Sequence, residues 1–84
     1  MATGLYICDA DGFEVGGVSE FVPVYCGDEG VVSYTLTGEG MEAPGAGARL
    51  GVVRREDGEV LARFVCLRAL PWRNGTVRII GRPG

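Results

Sequence analysis

The sequence predicts an all-β fold, a small single-domain barrel or sandwich of about six to seven short antiparallel strands. Three observations carry this expectation. Eleven Val and three Ile outnumber six Leu, and β-branched side chains fit a pleated strand better than a helix. Fifteen Gly break the chain at short intervals. Within 31–37, Val32, Tyr34 and Leu36 alternate with Ser33, Thr35 and Thr37, the period-two pattern of a sheet wet on one side.

Taken in order, the expected strands are Thr3–Cys8, Phe13–Val18, Phe21–Tyr25, Val31–Thr37, Arg49–Arg54, Val60–Leu70 and Thr76–Ile80. Turn signals separate them: Asp11-Gly12, Gly27-Asp28-Glu29-Gly30, Asp57-Gly58 and Asn74-Gly75. Gly38 to Ala48, GEGMEAPGAGA, is the one long irregular stretch, read as a flexible Gly-rich loop or as an arm that orders on a partner with Met41 as its apolar anchor. No internal repeat is visible.

The second half can be tested for register. Two-residue type I′ turns at Asp57-Gly58 and Asn74-Gly75 place Val53 opposite Ala62, Gly51 opposite Phe64, Trp72 opposite Val77 and Leu70 opposite Ile79. One face of the middle strand then holds Val60, Ala62, Phe64, Cys66, Leu70 and Trp72, with Arg68 as its only misfit. The phenyl ring would lie across the bare Gly51 backbone. The alternative is an α+β fold with a helix at about 59–70, capped by Asp57 and supported by a Glu59–Arg63 pair.

Charge is divided along the chain. Asp9, Asp11, Glu14, Glu20, Asp28, Glu29, Glu39 and Glu42 precede the first basic residue, Arg49. The eight arginines, Arg54, Arg63, Arg73 and Arg78 among them, share the remainder with three carboxylates. The two parts carry −8 and +5, so the fold offers two electrostatic surfaces or an internal neutralisation. No apolar run reaches the ~20 residues of a membrane-spanning helix, and Met1–Ala10 has no basic start followed by a hydrophobic stretch. The chain reads as soluble and unprocessed, cytoplasmic or part of a virion. Gly, Ala, Arg and Pro supply 34 of 84 residues, which fits a GC-rich bacterial or viral genome.

Chemistry is sparsely provided. Without His or Lys there is no Ser-His or Cys-His pair, no Schiff-base amine and no P-loop lysine. Cys8, Cys26 and Cys66 are far apart and odd in number, which suits free, buried thiols, with one disulfide or a three-thiolate metal site as alternatives. Asp9, Asp11 and Glu14 resemble the start of a calcium loop but lack its Gly spacing and distal Glu. A hairpin at Asp11-Gly12 would set Asp9 opposite Glu14, a repulsion to be offset by solvent, a cation or an arginine from elsewhere. No cofactor is expected.

These features point to a non-enzymatic protein–protein interaction or assembly module, such as a small viral structural or decoration subunit. It would form a homo-oligomer or larger assembly through its acidic and Arg-rich surfaces. The contact residues expected are Asp9, Asp11, Glu14, Asp28, Glu29, Glu39, Met41, Glu42, Arg54, Arg63, Arg73 and Arg78. An acidic mimic that inhibits a nucleic-acid-binding protein is the alternative. A single-strand-binding barrel using Trp72, Phe64 and Tyr34 is the third reading, opposed by the net charge of −3.

Overall fold

Antiparallel pairing accounts for every strand. The computed structural model describes residues 4–84; their strands are β1 (Leu5–Cys8), β2 (Glu14–Tyr25), β3 (Val31–Glu39), β4 (Arg49–Arg54), β5 (Val60–Pro71) and β6 (Val77–Pro83). They close into a barrel in the order β1-β2-β3-β6-β5-β4, with β4 pairing back onto β1. The all-β expectation holds, and the architecture is a barrel of six strands. No described segment is an α-helix, so the 59–70 helix is corrected to β5. The reason is tertiary: that segment is hydrogen-bonded to β4 on one side and β6 on the other. Thr3 of the first expected strand lies outside the described residues. No described helix is long and apolar enough to cross a membrane.

The interior is filled by Ile7, Val18, Leu36, Leu50, Val52, Phe64, Cys66, Val77 and Ile79. Phe21 stacks on Tyr34, and Tyr34 leans on Phe64, with ring centres 5.6 and 6.1 Å apart. The ladders slip at five places, and the slips in β2 and β5 change which residues reach this core. The expected strands Phe13–Val18 and Phe21–Tyr25 are one strand, β2, whose ladder slips between Val18 and Glu20. The extra residue lets Val18 and Phe21 both turn inward although their spacing is odd. In β5 the ladder slips between Cys66 and Arg68. Phe64 and Cys66 point inward before the slip and Ala69 after it. Arg68, Leu70 and Trp72 therefore face out, which removes the Arg68 misfit and takes Leu70 and Trp72 from the expected core to the surface.

The expected registers were out by one residue. The Asp57-Gly58 connection is a four-residue loop closed by the Gly58 N–H on the Arg54 carbonyl, which pairs Val53 with Val60; a slip between Val52 and Val53 then makes Leu50 face Phe64 and Gly51 face Arg63. Asn74 and Gly75 do both have positive φ, and the Thr76 N–H donates to the Arg73 carbonyl, as a type I′ turn requires. The ladder slips immediately below it, pairing Pro71 with Val77 and Ala69 with Ile79. The glycine covered by Phe64 is Gly81 in β6: a Cβ there would lie 3.1 Å from Phe64 Cγ.

The strands repeat where the sequence does not. Adding 46 to a residue number takes Asp11-Gly12 to Asp57-Gly58 and the 3₁₀ turn Gly27–Glu29 to Arg73–Gly75. The same offset exchanges the pairs Tyr6–Val53 and Ile7–Val52 across the β1–β4 seam, and Tyr34–Gly81 and Thr35–Ile80 across the β3–β6 seam. Two β-β-β units are thus related by an approximate two-fold axis through the seams. Because neighbouring strands are antiparallel, the β2–β3 and β5–β6 turns lie at opposite ends of the barrel.

The loop expected at 38–48 begins later, since Gly38 and Glu39 belong to β3. Met41 folds back over the barrel end. A Cβ on Gly16 would be 2.8 Å from both Met41 Cβ and Sδ, and Gly38 is also covered by Met41 Sδ. Two bare glycine backbones thus form the seat for the thioether, and the anchor expected to grip a partner packs within its own chain.

Candidate interaction surface

The carboxylates and arginines that the sequence sets apart are partly brought together. The Arg55 guanidinium lies over the Tyr6 ring, 5.0 Å from its centre, and donates to both Glu14 oxygens at 2.8 and 2.7 Å. This fork holds the Glu14 carboxyl below its usual range. Arg78 donates to Glu20 at 2.5 Å and to Thr37 Oγ1 at 2.9 Å, with its guanidinium 5.1 Å from the Trp72 ring centre. Arg54 pairs within its own half, with Asp57 and Glu59. Asp9 Oδ1 accepts the Asp11 and Phe13 N–H groups. Glu14 pairs with Cys8 and Asp9 bonds Phe13, so the expected facing of the two carboxylates does not form; local backbone donors hold Asp9, and an arginine 41 residues away holds Glu14. No group of three or more His, Cys, Asp or Glu side chains among the described residues is placed to hold a metal ion. The three cysteines are free; Cys8 and Cys66 are buried, whereas Cys26 is exposed, contrary to a reading of buried thiols for all three. Burial pushes the Cys66 thiol up.

The Arg54 cluster yields a direct test. Hydrogen bonds from the Arg54 guanidinium, then from the Glu59 N–H, lower the Asp57 carboxyl from 3.8 to about 2. A depressed carboxylate pKa stabilises the fold above the unfolded value and loses that contribution as pH falls through the folded one. Asp57 should therefore titrate by NMR near pH 2, and Arg54→Gln should move its midpoint toward 3.8. An unchanged midpoint in the variant would show that Arg54 does not hold the carboxylate.

With those pairs formed, unpaired groups of both signs remain at each end of the barrel, and only the two hairpin tips differ clearly in sign. Asp28 and Glu29, at the β2–β3 tip, have no ion pair among the described residues. Neither do Arg63, Arg68, Arg73 and Arg82, and from Val60 to Gly84 the chain contains no carboxylate side chain. Of the other expected contact residues, Asp11, Glu39 and Glu42 are exposed at the end of the barrel that carries the Met41 loop.

One face connects the two tips. Across β5, β6, β3 and β2 the outward residues form a row Leu70–Arg78–Thr37–Glu20 and a second row Arg68–Ile80–Thr35–Val22. Trp72 and Arg73 lie beyond the first row at the basic tip. Val24, Tyr25, Asp28 and Glu29 lie beyond the second at the acidic tip. Val22 is 45% exposed, Leu70 40% and Trp72 44%, well above what a core side chain retains. This face was missed in the sequence because the bulge that turns Leu70 and Trp72 outward leaves no local mark. Of the three aromatics expected to stack on bases, Phe64 and Tyr34 belong to the core and only Trp72 is on the surface.

Concave space is limited. A groove of about 430 Å³ beside Met41 has Glu42 as its only ionisable lining group. A second, of about 180 Å³, is bordered by Asp9, Arg49 and Arg63, with Leu50 and Phe64 in its wall. Comparison of the chain with protein families, with characterised proteins and with solved structures finds no match.

Proposed function

We propose that this protein is a non-enzymatic assembly module that associates with further copies of itself through oppositely charged surfaces. The observation that supports the reading is the distribution of unneutralised charge. Internal ion pairs absorb Glu14, Glu20, Arg54, Arg55 and Arg78 but leave an acidic hairpin tip and an arginine-bearing one at opposite ends of the barrel. Arginine suits such contacts because its planar fork meets a carboxylate through two hydrogen bonds. The small size of the chain adds to the argument. A domain of this length buries a modest share of its unfolded surface, and covering exposed apolar side chains by association adds stability.

Mass in solution as a function of ionic strength tests this. At low salt the protein should be oligomeric. Near 1 M salt, where charges are screened within ~3 Å, the mass should fall toward one copy of 8.9 kDa. A protein that is monomeric at every ionic strength, even at millimolar concentration, would exclude self-association.

A further inference from the structure

We infer that the outer face of β4-β5-β6 holds a binding site for the terminal phosphate or pyrophosphate group of a small molecule, seated in the depression bordered by Arg49 and Arg63. The inference is independent of the self-association reading, since the site lies within one copy.

Strand register assembles the site. Leu50 and Phe64 point into the barrel, so Arg49, Arg63 and Val65, one position along their strands, point out. Val65 is the direct partner of Arg49 on one side and of Arg82 on the other. It is 7% exposed although it faces outward, and Gly84 packs against it. The arginines thus stand around a covered apolar floor. Strand spacing sets the Arg49 and Arg82 backbones ~10 Å apart, with Arg63 a diagonal neighbour of Arg49 at ~7–8 Å. Guanidiniums on stems of this length reach a common point from those positions.

Charge is the second argument. Arg49, Arg63, Arg68 and Arg82 are all exposed and have no ion pair among the described residues; Arg82 donates at 3.4 Å to the Pro83 carbonyl. Asp9 is the one carboxylate side chain bordering the depression, and its Oδ1 already accepts two backbone N–H groups. Like charges on neighbouring strands repel, and an anion seated among them relieves the repulsion. Screening confines the effect of exposed charges to ~10 Å at moderate salt, so the local cluster outweighs a net charge of −3 spread over the chain.

Size and oxygen count narrow the ligand. A depression of about 180 Å³ takes one small charged group and is no track for a polynucleotide backbone. A carboxylate has two coplanar oxygens, which a single guanidinium fork satisfies. A terminal phosphate has three acceptor oxygens and engages forks from both Arg49 and Arg63.

The test is calorimetric titration of the whole chain with inorganic pyrophosphate at low salt, with circular dichroism to confirm the β fold of each variant. The wild type should bind one pyrophosphate per chain. Arg49→Gln combined with Arg63→Gln should raise the dissociation constant ~tenfold or more, the usual effect of losing hydrogen bonds to a charged group. Arg73→Gln, at the β5–β6 tip and outside the depression, should leave it unchanged. Citrate and a short single-stranded DNA should both bind more weakly than pyrophosphate. Absence of binding at millimolar pyrophosphate would overturn the inference, as would equal losses in the Arg73 variant and the double variant, which would mark a diffuse field rather than a site. Tighter binding of citrate would overturn the assignment to phosphate, and tighter binding of DNA the assignment to a small molecule.

Discussion

Replacing Phe64 by alanine is expected to lower the unfolding free energy by about 3–5 kcal/mol, the usual effect of emptying a fully buried aromatic site. Phe64 is 1% exposed and touches both halves of the molecule, since its ring meets Tyr34 of β3 and covers Gly81 of β6. Few neighbours can move into the vacancy, because Gly81 has no side chain to extend. For a domain of this length each kcal/mol shifts Tm by roughly 4–8 °C, so a fall of ~12 °C or more should appear in a thermal melt. A loss below ~1 kcal/mol would mean that the ring is not in the core.

Gly81→Ala is expected to be destabilising for the opposite reason. The added methyl would lie 3.1 Å from Phe64 Cγ and 3.1 Å from the Val65 carbonyl oxygen, with the ring edge nearer still. Neither is the free end of a flexible side chain, so backbone or ring must shift, and overpacking of this kind costs about 1–3 kcal/mol. The two substitutions should not add. Once Phe64 is alanine the clash with the ring is gone and only the contact with the Val65 carbonyl remains, so the double variant should be more stable than the sum of the singles implies. Gly51→Ala is the control. Its nearest neighbours would be the Cys8 Sγ at 3.1 Å and the Ala62 carbonyl at 3.4 Å, with no contact to the phenyl ring. A strong coupling of Phe64 to Gly51, and none to Gly81, would restore the register expected from two-residue turns.

That register shows how far the sequence could be read. The turn residues were found where expected: Gly12, Gly58, Asn74 and Gly75 all have positive φ, the conformation that these residue types tolerate best. The lengths of the connections were not legible. A Gly in a hairpin serves a two-residue turn, a three-residue turn with a bulge or a four-residue loop equally well, and the choice depends on how the flanking strands meet the rest of the sheet. A one-residue error then reverses which side chains face inward. This is why the two-residue-turn register puts Leu70 and Trp72 in the core although they belong to the surface, and why Arg68 is out of place among them. In the strand Val31–Thr37 the alternation holds for Tyr34 and Leu36, but the ladder with β2 slips at Val32, which is exposed rather than inward.

The charge division was also visible in the sequence, but its consequence was not. Glu14 and Arg55 are 41 residues apart, and Glu20 and Arg78 are 58 apart. Only closure of the barrel makes them neighbours. Met41 was singled out as an apolar residue in a Gly-rich stretch, and it is an anchor. Its seat is Gly16 and Gly38, and nothing local announces that a distant glycine is a seat.

What the sequence determined by itself was local: strands from β-branched and alternating residues, turns from Gly, Asn and Asp, and an acidic first part followed by an arginine-bearing second. These follow from the φ/ψ preferences and charge of individual residues, which need no neighbours to be expressed. What only the tertiary structure decided was relational: the order β1-β2-β3-β6-β5-β4, the two bulges that set the faces, the two-fold repeat without sequence likeness, and the division of charges into those paired internally and those left at opposite tips. Barrel closure imposes these, because hydrogen bonding across the last seam fixes the stagger of every strand at once.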